Sequence, residues 1–183
     1  MKRLYTTLFA AILLMTSCGP KADKHYLEAL CKYIPDHGMR VEAKKYLTED
    51  YFNAYAEAFA APVGDYGSIG DNDWLYYFVS GNGGGQPVFD VKDFKRDGGR
   101  IEADVEILGD PDPHKAIFLR EGGQWKVADW DGTKSQCLEY IQTMRQKYAD
   151  GTIERQMLQD STLAPHLDDF KKELEDFYNI FGR

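Results

Sequence analysis

Hydrophobic and polar positions alternate most regularly between Arg100 and Asp131, and that stretch organises the chain. Ile101, Ala103, Val105 and Ile107 interleave with Glu102, Asp104 and Glu106, the period-two pattern of a strand with one dry and one wet face. A Gly-Asp-Pro-Asp-Pro loop follows, then a strand over 115–121, a turn on Gly122-Gly123 and a strand over 124–130. Two glycines between apolar runs suit a primed turn, which needs positive φ at both central positions. With those glycines as the loop, Arg120 faces Trp125, Phe118 faces Val127 and Ala116 faces Asp129, while the other side carries Leu119, Ile117, Ala128 and Trp130. Both faces then hold apolar side chains. One is expected to pack on helices, the other on a further helix or a second subunit.

Upstream, Leu27, Leu30, Cys31 and Ile34 recur at helical spacing, closed by Pro35 and Gly38. Residues 39–47 are helical in propensity but poorly patterned. Thr48 reads as an N-cap with Glu49 and Asp50 in the first turn. Its helix carries Phe52, Tyr55 and Phe59 on one stripe and stops at Pro62. After a Gly- and Asp-rich loop over 64–72, residues 74–79 are apolar at every position, which fits a strand covered on both faces or a buried helical turn. The glycine run over 81–85 lacks the Lys-Ser/Thr of a phosphate-binding loop. Phe89, Val91 and Phe94 break alternation in a strand over 88–95, which places a bulge near Lys92.

Downstream, Thr133-Lys134-Ser135-Gln136 reads as a capping box opening a helix through Leu138, Ile141 and Met144. A short helix is expected over 152–159, and a last one from Pro165. On that helix Leu167, Phe170, Leu174, Phe177 and Phe181 form one stripe, expected to pack on its own domain rather than on a partner's helix. The predicted fold class is α+β: N-terminal helices packed on a curved antiparallel sheet, with extra C-terminal helices.

The first residues read as a targeting signal. Lys2 and Arg3 precede an apolar run over 4–15, shorter than the roughly 20 residues of a bilayer-spanning helix. Met15-Thr16-Ser17-Cys18-Gly19 resembles the lipobox of bacterial lipoproteins, with Met for the usual Leu. That resemblance implies a signal peptide over 1–17, lipid on Cys18, a tether over 18–23, and export to a periplasmic face or the cell surface. Several acyl chains would hold the protein to a membrane, each buried methylene contributing ~0.8 kcal/mol.

The net charge of −8 disfavours nucleic acid and peripheral binding to anionic lipid. Export makes a Cys31–Cys137 disulfide an option. Two separate buried thiols are the preferred reading. No ligand spacing for zinc is present. Asp110-Pro111-Asp112 and Asp129-Trp130-Asp131-Gly132 look superficially like calcium loops, but neither reaches the Glu of a twelve-residue loop, so both read as turns. No metal or cofactor is expected.

The junction over 47–52, the Asp71-Asn72-Asp73-Trp74 lead-in and the closing Gln124-Trp125-Lys126-Val127-Ala128-Asp129 strand together resemble the nuclear transport factor 2-like superfamily, which includes ketosteroid isomerase-like domains. More narrowly, the chain is similar to bacterial lipoproteins carrying such a domain. The resemblance implies a cone-shaped half-barrel over 24–132, and the helical extension over 133–183 departs from it. It also implies a pocket inside the cone, with Tyr26, Tyr51, Tyr55, Trp74, Tyr76 and Trp125 as candidate lining. Catalytic members use a carboxylate or imidazole with a tyrosine donor, which makes Asp71, Asp73 and His114 the weak candidates here. The preferred reading is a non-catalytic module that binds a small ligand or a protein, with a homodimer through the sheet or C-terminal helix as a further option. The alternative is a cofactor-independent lyase or isomerase.

Overall fold

The computed structural model describes residues 22–32, 44–64 and 88–182. Within them the chain is α+β, with a four-stranded antiparallel sheet and five α-helices. Helix α1 (Lys24–Cys31) starts at Asp23, whose side chain accepts the Tyr26 N–H, and it buries Leu27, Leu30 and Cys31. Helix α2 (Glu49–Ala60) starts at Thr48, which accepts from the Tyr51 N–H, with Glu49 and Asp50 in its first turn.

The face that α2 buries is not the expected one. Tyr51, Ala54, Tyr55 and Ala58 are buried, while Phe59 is 53% exposed and Phe52 only partly covered. The reason is that α2 serves two cores. Tyr51 belongs to the one on the sheet, and Ala54, Tyr55 and Ala58 to one built with the C-terminal helices. The alanines give that second neighbour a close approach which larger side chains would prevent.

Strands β1 (Phe89–Asp97), β2 (Arg100–Ile107), β3 (His114–Glu121) and β4 (Gln124–Trp130) lie in chain order as a meander. Gly122 and Gly123 both have positive φ, as the primed turn requires. Strand β2 is buried at Ile101, Ala103 and Val105 and exposed between them. The bulge falls at Lys92, since Val91 pairs with Val105 and Asp93 with Asp104.

A second bulge overturns part of the expected register. Phe118 faces Val127, but Ile117 faces Asp129 and Ala116 faces Trp130, leaving Ala128 as the extra residue. Both Val127 and Ala128 are thereby buried, and Trp130 turns to the inner face beside Phe118. The second apolar face therefore does not form. Glu102, Asp104, Glu106 and Lys115 are exposed on the outer side, with Ile117 and Leu119 half-buried.

Both sheet edges have partners. The Val127 N–H donates to the Tyr46 carbonyl at 2.8 Å, and the Val127 carbonyl accepts from the Thr48 N–H at 2.8 Å. On β1 the Val91 N–H donates to Glu28 Oε1 of α1 at 3.2 Å.

Helices α3 (Thr133–Ala149), α4 (Thr152–Gln159) and α5 (Leu167–Phe181) complete the second core with Cys137, Ile141, Met144, Met157, Phe170 and Phe177. The stripe on α5 is used internally: Phe170 and Phe177 are buried, and Leu167, Leu174 and Phe181 pack against the same core. Pro165 sits in a short 3-10 turn before α5 rather than in its first turn. The expected capping box is also replaced. Gly132, in the left-handed region, precedes α3, and the Lys134 N–H donates instead to Asp129 Oδ1 at 3.0 Å. The Thr133 hydroxyl donates back to the Trp130 carbonyl at 2.5 Å. Among the described residues no helix is long and apolar enough to cross a membrane.

Candidate functional site

The two acidic turns converge. Asp110-Pro111-Asp112 follows β2, and Asp129-Trp130-Asp131-Gly132 ends β4. His114, first residue of β3, lies between them. Asp110 Oδ1 accepts the Asp112 N–H at 3.0 Å, a local turn that aspartate forms readily. Asp131 adopts φ +48, tolerated by Asp. It exchanges two bonds with Lys115: Oδ1 accepts the Lys115 N–H at 2.6 Å, and its own N–H donates to the Lys115 carbonyl at 2.9 Å.

His114 Nδ1 is 2.6 Å from Asp131 Oδ2, and Nε2 is 3.3 Å from Asp110 Oδ2. The imidazole stacks on Trp130 with ring centres 5.1 Å apart and planes 20° apart. Trp130 in turn stands edge-on to Phe89 in the core. The His114 side chain is 16% exposed. A carboxylate at 2.6 Å requires the Nδ1 proton to point at Asp131. The Asp112 N–H, and after it the imidazole, holds the Asp110 carboxyl below the usual carboxylate range. Both ring nitrogens therefore face carboxylates, and Trp130 covers one face of the ring.

The other sequence-derived candidates are scattered. Cys18, Asp71, Asp73, Trp74 and Tyr76 lie outside the described residues. Tyr26 is half-buried against the sheet-side core. Tyr51 and Tyr55 are buried, in different cores. Burial pushes the Tyr51 phenol well above its ordinary value and the Asp129 charge adds to this, while the Thr133 hydroxyl opposes it. Burial raises Tyr55 likewise. Trp125 is buried beneath the Arg96 guanidinium, 5.0 Å above its ring. Cys31 and Cys137 are buried free thiols in separate cores. Burial, then the Glu28 charge, pushes Cys31 up to about 12. Burial, then the Asp129 charge, does the same for Cys137, also to about 12. Among the described residues no group of three or more His, Cys, Asp or Glu side chains is placed to hold a metal ion.

The outer sheet face carries what the sequence reading missed. A groove of about 210 Å³ is lined by Asp93, Phe94 and Lys95 of β1, Glu102 and Asp104 of β2, and Lys115 and Ile117 of β3. A second, of about 350 Å³, shares Asp104 and Lys115 and adds Lys92, Glu106 and Pro113. Lys115 Nζ pairs with Asp104 at 3.1 Å, and Lys92 bridges Asp90 at 2.7 Å and Glu106 at 2.9 Å. Alternation in β2 announced the wet face. The Lys92 bulge, which brings lysine and carboxylates to one side, carried the remaining signal.

No protein-family model matches this chain, and comparisons with curated proteins and with solved structures find no match either.

Proposed function

We propose that this chain is an exported protein held to a membrane by lipid on Cys18, whose α+β domain is of the nuclear transport factor 2-like kind and acts as a binding module. The observation that carries the binding reading is the pair of adjoining grooves on the outer sheet face. They place ammonium groups, carboxylates and the apolar Ile117 within one small surface. That mixture suits a small polar molecule bearing both charges, with Ile117 contacting its carbon skeleton. Helices on one face of a meander, and bulges at Lys92 and Ala128 that increase its bend, support the half-barrel form. The acid/base alternative draws no support from His114, whose ring nitrogens both meet carboxylates.

Two measurements test this. Mass spectrometry of the mature N-terminus should find diacylglyceryl-Cys18, and Cys18→Ala should move the protein from the membrane fraction to the soluble one. A thermal-shift panel of small zwitterions should find a compound that raises Tm in the wild type but not in Lys115→Gln or Asp104→Asn. A compound whose amide-shift footprint falls on the helices instead of β1–β3 would remove the groove from the proposal.

A further inference from the structure

The charges of the smaller outer groove are unevenly spent. Asp93 of β1 stands directly opposite Asp104 of β2, and Lys95 directly opposite Glu102. All four line that groove. Asp104 is taken by Lys115 Nζ at 3.1 Å, and Glu102 by the Arg100 guanidinium at 2.8 Å. In the adjoining groove Lys92 is shared between Asp90 and Glu106. Asp93 and Lys95 are left without an ion pair among the described residues. Two carboxylates directly opposite one another repel. Lys115 lies on the far side of Asp104, on β3, so the Asp93 side of that pair has no cation of its own.

The strand sets how far apart the two unspent charges stand. Asp93 and Lys95 point to the same face two residues apart, roughly 7 Å along the backbone. Half-buried Ile117 lies in the Lys95 row, opposite Glu102. We propose that the smaller groove takes an ω-amino carboxylate: its ammonium between Asp93 and Asp104, its carboxylate on Lys95, and its methylene chain running between them beside Ile117. Lys115 positions the acidic pole by holding Asp104 in place. An α-amino acid carries both charges on neighbouring carbons and cannot span the two poles. This assignment rests on the binding reading above and adds to it the spacing of the ligand's charges.

Amide-shift titrations of the full chain with glycine, 4-aminobutanoate, 5-aminopentanoate, butylamine and butanoate test it. The two ω-amino acids should move the amides of residues 93–95 and 102–104. They should bind about tenfold tighter than glycine, butylamine or butanoate, each of which engages one pole alone. Asp93→Asn and Lys95→Gln, both at exposed positions, should each remove about that factor. Arg100 does not line the groove, but Arg100→Gln frees Glu102 to pair with Lys95 and should weaken binding as well. Glycine binding as tightly as 4-aminobutanoate would overturn the assignment, and so would unchanged binding in Asp93→Asn and Lys95→Gln. If other zwitterions of the thermal-shift panel footprint on β1–β3 while no ω-amino acid does, the charge spacing fails and the groove stands. If no compound footprints there, both fail.

Discussion

Arg145 on α3 should be worth more to stability than any other exposed-side charge of the helical half. Its Nε donates to Glu57 Oε1 of α2 at 2.8 Å, and Nη2 lies 2.6 Å from the same oxygen. Nη1 donates to the Gly182 carbonyl at 2.7 Å and Nη2 to the Phe181 carbonyl at 3.1 Å. The guanidinium also lies 5.5 Å from the centre of the Phe177 ring. One side chain thus ties α2, α3 and the end of α5, where terminal carbonyls lack helical partners and a cation opposes the dipole. The Arg145 and Glu57 side chains are 26% and 22% exposed, between the surface pair that contributes about 0–1 kcal/mol and the buried pair whose breaking costs about 3–5 kcal/mol. Arg145→Met, which keeps the stem, should therefore cost about 2–3 kcal/mol. At about 2–4 °C per kcal/mol for a chain of this size, Tm should fall by roughly 4–12 °C. Arg145→Lys keeps the charge but loses the planar fork, and should recover less than about half of that. A double-mutant cycle with Glu57→Gln, by urea denaturation, should give a coupling of about 1 kcal/mol. An Arg145→Met protein within about 0.5 kcal/mol of wild type, the range of an ordinary surface change, would refute the reasoning.

Other outcomes follow from the packing and the charges. In the Cys18→Ser protein, thiol reagents at pH 8 should label neither Cys31 nor Cys137 until the chain unfolds, because both are buried with values raised to about 12; fast native labelling would contradict this. Asp90 is held to about 2, first by its bond to Lys24 and then by Lys92. A depressed carboxyl contributes stability above its unfolded value of about 4 that is lost as pH falls toward 2. Lys24→Met should return Asp90 toward the ordinary range in a carboxyl NMR titration and flatten the acid limb of the stability curve. Gly64→Ala places a Cβ 2.6 Å from Ile153 Cγ2 and 2.9 Å from Met157 Sδ, at φ +72. Overpacking and backbone strain together should cost about 2–4 kcal/mol, read as a lowered urea midpoint.

The sequence was legible where one face met one environment. Strand β2 is the case: every second residue is buried, and its alternation says so. Legibility failed where an element served two neighbours or gained a residue. On α2 the buried Tyr51, Ala54, Tyr55 and Ala58 do recur at i, i+3, i+4 and i+7, but two of the four are alanines, so the larger Phe52 and Phe59 drew the expected stripe to the neighbouring face. Ala128 gave no sign of a bulge, because alanine suits either face, yet its insertion decides where Trp130 points. The candidate site was hidden for the same reason. Asp110 and Asp131 were read as two unrelated turns, and the β3–β4 register that brings both to His114 depends on that bulge.

That dependence ties the His114 cluster to the strand register. Were Ala128 paired opposite Ile117 instead of standing out as the extra residue, Asp129 would stand opposite Ala116 and Trp130 would turn to the outer face, away from Phe89. His114 would then lose its stacking partner, and Asp131 would shift out of register with Lys115, whose N–H it accepts. Deleting Ala128 removes only the unpaired residue, so Asp129 should stay opposite Ile117 and Trp130 opposite Ala116, and the indole should keep its buried, blue-shifted emission. Replacing Ala128 with Val keeps the residue count and should also keep the indole inside, even where the larger side chain lowers stability by about 1–3 kcal/mol. Emission spectra of the two variants check both outcomes. A deletion variant whose Trp130 emission moved to that of a solvated indole would show that the strand does not hold this pairing once the extra residue is gone.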